Sequence, residues 1–189
     1  MEFDPSPGSV TQLIRDSVAG DTAARDRLIE AIYSDLREIA RRMMSRERPG
    51  HTLQATALVN EVLLRFLARD DPFAVENRNQ LMAISAISMR RLLVDHARTR
   101  SRAKRGGGVE EIPIVTEMDG AWNSDEKLLL IHDALDRLKR QGERQAQVAE
   151  LKIFGGYSAE EIAVVVGVTA RTAERDWAFA RAWLQAQLK

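Results

Sequence analysis

Apolar residues recur at helical spacing along nearly the whole chain, and no stretch alternates for long enough to predict a strand. Val10, Leu13, Ile14 and Val18 predict a short first helix that stops at Gly20, where Asp21 is placed to cap the next one. That second helix carries Leu28, Ile32, Leu36, Ile39 and Met43 on one face and ends before Pro49-Gly50. A third, from about Gln54 to Ala68, sets Leu58, Val62 and Phe66 beside Val59, Leu63 and Leu67, and Asp70-Asp71-Pro72 breaks it. The fourth, from about Asn77 to Lys104, changes character midway. Its first half is apolar through Leu81, Ile84, Ile87 and Leu92, whereas its second half places Arg91, Arg98, Arg102 and Arg105 on one stripe with Asp95 among them. Three consecutive glycines, Gly106 to Gly108, then end the helix.

Helical periodicity resumes at Asp125, with Leu128, Ile131, Leu135 and Leu138 on one face, and continues from Glu143 to Ile153 before Gly155-Gly156. Ser158 and Glu161 have the spacing of a capping box. They open a short helix with Ile162, Ala163 and Val166 inward, and Gly167-Val168-Thr169 turns the chain into a last helix from Ala170 to about Gln187. Its expected buried stripe is Ala173, Trp177, Ala180 and Leu184. A short helix, a glycine turn, a cap and a longer helix make a helix-turn-helix pattern. The expected fold class is all-α: two small helical domains joined by a flexible acidic linker. The expected boundaries are a disordered N-terminus over 1–9, a first domain over 10–105, the linker over 106–124 and a second domain over 125–189.

Charge changes this picture. The 189 residues carry 28 Lys plus Arg and 28 Asp plus Glu, a formal net charge of zero with His neutral. Residues 1–88 hold 11 basic and 13 acidic groups, 89–105 hold 7 and 1, and 106–189 hold 10 and 14, so the segment nets are −2, +6 and −4. The whole positive excess therefore lies in one stretch, and a helix that begins in a core and ends as a basic rod is suited to a polyanion. A solvated surface face is the plainer alternative.

The absence of cysteine excludes disulfides, thiol catalysis and thiolate zinc sites. The apolar runs, such as those at 128–131 and 163–166, all fall far short of the ~20 residues of a membrane span. The acidic, Pro-containing N-terminus lacks a signal-peptide pattern, so a cytoplasmic location is expected, with no membrane partner. His51, His96 and His132 have no metal-ligand spacing, and Gly106 to Gly108 lack the Lys and helix of a phosphate loop. No catalytic residue, metal or cofactor is expected, and the chain does not read as an enzyme.

Two places carry binding chemistry. Arg171, Thr172 and Arg175 face outward from the start of the last helix, where a recognition helix enters the major groove and Arg makes bidentate contacts to guanine. Glu174 and Asp176 are expected to interrupt that face and weaken it; a plain helical hairpin is the alternative. In the loop before the fourth helix, Phe73 offers a stacking surface, and Asn77, Arg78 and Asn79 are able to read an unpaired base edge. Equally, Phe73 plugs a core and Asn77 caps the helix.

Three stretches, Thr52 to Glu61, Met89 to Arg98 leading into Ala103 to Gly108, and Thr172 to Leu184, together resemble the sigma-70 family of transcription initiation factors in its extracytoplasmic-function type. The resemblance covers about residues 10 to 188. It implies sigma domain 2, a linker and sigma domain 4, acting as a monomer when free on core RNA polymerase and promoter DNA. By position, Leu58, Val59, Glu61, Val62 and Arg65 would dock on the clamp helices of the largest polymerase subunit, with the flap a further contact. Phe73, Asn77, Arg78, Asn79, Arg90, Arg91 and Arg98 would recognise and melt the minus-ten element, and Arg171, Thr172 and Arg175 would read the minus-thirty-five element. The acidic linker would thread the polymerase cleft and RNA exit path.

Two departures from the family pattern stand out. Leu53 to Asn60 carries no charge where many members hold a run of acids, and a phosphate on Thr56, or on Thr52, would restore about −2. This suggests activation by a Ser/Thr kinase, against the alternative of a more apolar docking face. Gln80, Leu81 and Met82 replace aromatics often used for melting, which implies weak unaided promoter opening. An anti-sigma factor is a further expected partner. The other readings open at this point are a stand-alone helix-turn-helix regulator and a helical adaptor without a DNA role.

Overall fold

The computed structural model describes residues 7–45, 54–67, 75–103 and 124–188. Among these the chain forms α-helices and one π-helical turn, with no strand. By contacts it divides into two compact units, and the division falls inside one helix, between Met89 and Arg90. The expected linker over 106–124 lies outside the described residues except for Ser124.

In the first unit α1 (Pro7–Val18) begins three residues earlier than its apolar pattern suggests, because Pro7 fits the first helical turn, where its missing N–H costs nothing. Its end is closed by Gly20 at φ 98°, with the Asp21 amide donating back to the Asp16 carbonyl at 3.0 Å. Asp21 then caps α2 (Thr22–Ser45): its Oδ1 accepts from the Ala24 amide at 3.0 Å. The expected stripe of α2 is buried, with Ala24, Ala31 and Ala40 filling the spaces between the larger side chains. α3 (Ala55–Leu67) turns Leu58, Val59, Val62 and Leu63 inward.

α4 (Arg78–Ala103) is capped by Asn77, whose Oδ1 accepts from the Gln80 amide at 3.0 Å while Gln80 Oε1 accepts from the Glu76 amide at 2.8 Å. Asn77 thus satisfies a first-turn donor that a helix leaves open, and Gln80 returns to the amide just before the cap. Leu81, Met82, Ala83, Ala86 and Met89 are buried, and Ser85 completes the apolar seam by donating to the Leu81 carbonyl at 2.8 Å.

The second unit contains the rest of α4 and the C-terminal helices. α5 (Asp125–Gln141) starts at Ser124, whose Oγ accepts from the Lys127 amide, with Asp125 and Glu126 in the first turn and Lys139 and Arg140 in the last, complementary to the helix dipole. α6 (Glu143–Glu150) packs on both α5 and α8. It runs into a π-helical turn, Leu151–Gly155, where a continuous α-helix to Ile153 was expected. Gly155 is required there, since a Cβ would fall 2.2 Å from the Tyr157 ring. α7 (Ala159–Val166) has the full capping box of Ser158 and Glu161 and ends at Gly167, φ 74°. Thr169 caps α8 (Ala170–Gln187), its Oγ1 accepting from the Thr172 amide at 3.2 Å.

Several stripes differ from expectation: Val18 of α1 is exposed, and Ile84 and Ile87 of α4, Ile131 of α5 and Val166 of α7 are only half-buried. The buried line of α8 is Ala173, Asp176, Ala180 and Leu184, and Trp177 is only half-buried.

Candidate functional site

α7, the left-handed Gly167 and α8 form the helix-turn-helix, and the caps at Ser158 and Thr169 fix where both helices begin. Arg171 and Arg175 are exposed on successive turns of α8, and Thr172 is half-buried with its hydroxyl 2.9 Å from that of Thr169. All three predicted residues thus sit in the first two turns of α8. Phe179 extends the same side of the helix and is 52% exposed.

Asp176 does not interrupt this outward face as expected. Its side chain is 4% exposed and turned towards α6, where Arg144 donates through Nε at 2.5 Å and Nη2 at 3.3 Å, and Gln145 donates through Nε2 at 3.2 Å. The bond and charge of Asp176 hold Arg144 protonated beyond even its ordinary high range. Only Glu174 remains as an exposed acid among residues 171–176.

The loop before α4 offers less free chemistry than its sequence suggests. Phe73 lies outside the described residues. Asn77 is the cap of α4, Arg78 Nη2 donates to Asp35 of α2 at 2.5 Å, and Asn79 is half-buried. Leu81 and Met82 belong to the core.

The arginines of α4 differ sharply from one another. Arg91 and Arg98 are exposed. Arg90 is 4% exposed, and within the second unit its guanidinium bonds Glu150 of α6 at 2.6 Å, lies 2.5 Å from His132 Nδ1 of α5 and stacks over the Phe154 ring at 5.4 Å. In this conformation Arg90 presents nothing to DNA. Farther along, Arg100 bonds Asp125 at 2.5 Å, and Arg98 approaches Asp133 at 4.0 Å. Burial, and then the positive charge of Arg90, push His132 below its usual pKa of 6.5; Asp136 and Asp133 oppose this, and Arg98 reinforces it. The side chain of Arg102 and all of Arg105 lie outside the described residues.

On α3, Leu58, Val59 and Val62 are at most 1% exposed and belong to the core of the first unit. Glu61 and Arg65 face outward with Ala57 and Asn60, and the same face carries Leu64 at 59% exposure. Sequence reasoning passed over Leu64. The available signal was arithmetic: α3 is apolar nearly all round, so one large apolar residue must be left outside. Thr56 is half-buried in the first turn of α3, which contains no acid.

Among the described residues no cluster of His, Asp or Glu is arranged to hold a metal ion, and no helix is long and apolar enough to cross a membrane. No curated protein matches the chain. The model of the ECF sigma factor family, by contrast, matches residues 7–189. That span takes in both units, from α1 through the helix-turn-helix. The chain belongs to the ECF sigma factor family, non-enzymatic factors of transcription initiation that act with core RNA polymerase on promoter DNA.

Proposed function

We propose that this chain directs core RNA polymerase to a specific set of promoters by two separate readings of DNA. Residues 10–105 act as sigma domain 2, residues 125–189 as sigma domain 4, and 106–124 as the connection that threads the polymerase. The observation that carries the proposal is the start of α8, where Arg171 and Arg175 stand exposed on successive turns directly after a capped helix-turn-helix turn. Arg at such positions reads guanine O6 and N7 in the major groove of the minus-thirty-five element. Arg91 and Arg98, with the loop from Phe73 to Asn79, contact the minus-ten element, and the outward face of α3 docks on the polymerase.

Reconstituted transcription on a promoter library tests this. Sequence-specific transcripts should require both the chain and core enzyme, and Arg171→Ala or Arg175→Ala should relax selection at one minus-thirty-five position each, at about 1–3 kcal/mol. Tight operator binding without polymerase would instead identify a stand-alone regulator.

A kinase reading has one supporting observation: the first turn of α3 carries no acid, and a helix N-terminus favours an added phosphate. On this reading Thr56→Glu binds polymerase more tightly than Thr56→Ala. Equal binding removes it and leaves control to an anti-sigma factor.

A further inference from the structure

Every other buried position of α8 is small or apolar, so the carboxylate of Asp176 is out of place there by composition. A buried carboxylate is costly unless paired and hydrogen-bonded. This one accepts three N–H bonds, two from Arg144 and one from Gln145, and both donors are neighbours in the first turn of α6.

Next to Asp176 the α8 seam is smooth: Ala173 and Ala180 flank it one turn away on either side, and the larger Leu184 follows only a turn farther on. Apolar packing of small side chains has little directionality, whereas a forked guanidinium-carboxylate pair has a fixed geometry. Buried ion pairs seldom add net stability over apolar replacements, and their best-attested use is to fix register. The orientation at stake is that of Arg175, the residue next to Asp176, and of Thr172, one turn earlier. At a helix surface radius of roughly 5–6 Å, a roll of about 20° moves a side chain by about 2 Å, enough to break a hydrogen bond.

From this we infer that Asp176, held by Arg144 and Gln145, is the positioning residue that sets the roll of α8 and so aims Arg171 and Arg175 at their bases. The inference rests on the reading of α8 as the duplex-reading helix. It assigns Asp176 no contact with DNA.

The test uses the full chain with core polymerase and two promoters that share a minus-ten element, one with an intact and one with a scrambled minus-thirty-five element. The readout is the ratio of transcripts. Asp176→Asn should lower that ratio roughly fivefold or more, the scale of one lost bidentate base contact, and leave transcription from the scrambled promoter unchanged. The paired variant Arg144→Leu with Asp176→Leu should keep helicity and thermal midpoint within a few degrees of the parent yet show the same loss of ratio. Arg144→Lys, a mild change at a half-exposed side chain, should also lower the ratio, because an ammonium cannot reproduce the fork. A folded paired variant, or the Lys variant, that discriminates as well as the parent overturns the inference alone. A parent ratio of one overturns the reading of α8 and the inference with it.

Discussion

His132 sits between opposing charges, with Arg90 on one side and Asp136, 3.6 Å from its Nε2, on the other, and burial decides the balance by favouring the neutral ring. With its folded pKa held below 6.5, the unfolded chain binds more protons as the medium is acidified. The stabilisation from neutral His132 is therefore complete above pH 6.5 and lost as pH falls through the lowered value. Thermal melts between pH 7.5 and 5 should show a falling midpoint for the second unit, with the slope reduced in His132→Gln. Arg90 beside it is expected at the minus-ten element only through its position in the family resemblance, and its burial against Glu150 is a contact 60 residues away in sequence. By its sequence Asp176 is expected on the surface, since Trp177 is the more apolar candidate for the seam. A helical wheel places 176 between 173 and 180 as well as it places 177. Only the position of Arg144, 32 residues away, decides between them. Partners of this kind, distant in sequence, leave no local trace.

Helix ends were legible because their causes lie within about four residues. The Ser158 and Glu161 box, the Thr169 cap and the left-handed glycines appear where the sequence places them. Ser158→Ala should cost about 1 kcal/mol, read as a lower midpoint in denaturant, because it strips a first-turn amide of its acceptor. The π-helical turn at Leu151–Gly155 was not legible, since its pattern of Leu, Ile and Phe suits an α-helix equally well. Helix α3 lies between these cases. Its existence was plain, but a helix apolar on most sides does not announce which side is inward. Burial divides its residues into an inward and an outward face. Leu64→Asp should weaken polymerase binding several-fold with the melting midpoint unchanged, whereas Leu58→Ala should cost about 2–5 kcal/mol by opening a cavity. A binding assay paired with a melt on each variant distinguishes docking from core.

For the whole molecule, the zero formal charge conceals a +6 segment, and that much was readable as arithmetic. What the arithmetic missed is where the countercharges stand. Arg90, Arg98 and Arg100 of α4 face Glu150, Asp133 and Asp125 of the C-terminal helices. Of these, the exposed pair with Asp133 is worth little, while the others are partly shielded from solvent. Free chain should accordingly bind promoter duplex weakly, with a shallow dependence on salt in a titration, because few phosphates meet an unmatched cation.

The same three pairs bear on time as well as affinity. A lone cluster of arginines would attract a duplex from afar and speed encounter, but cations matched at short range present dipoles, whose field fades well inside a Debye length of about 10 Å. A duplex nearing the free chain gains little steering from these three arginines. Stopped-flow association should therefore run at an ordinary unsteered rate that changes little between low and physiological salt, and charge-neutral substitution of Asp125 and Asp133 should restore acceleration at low salt.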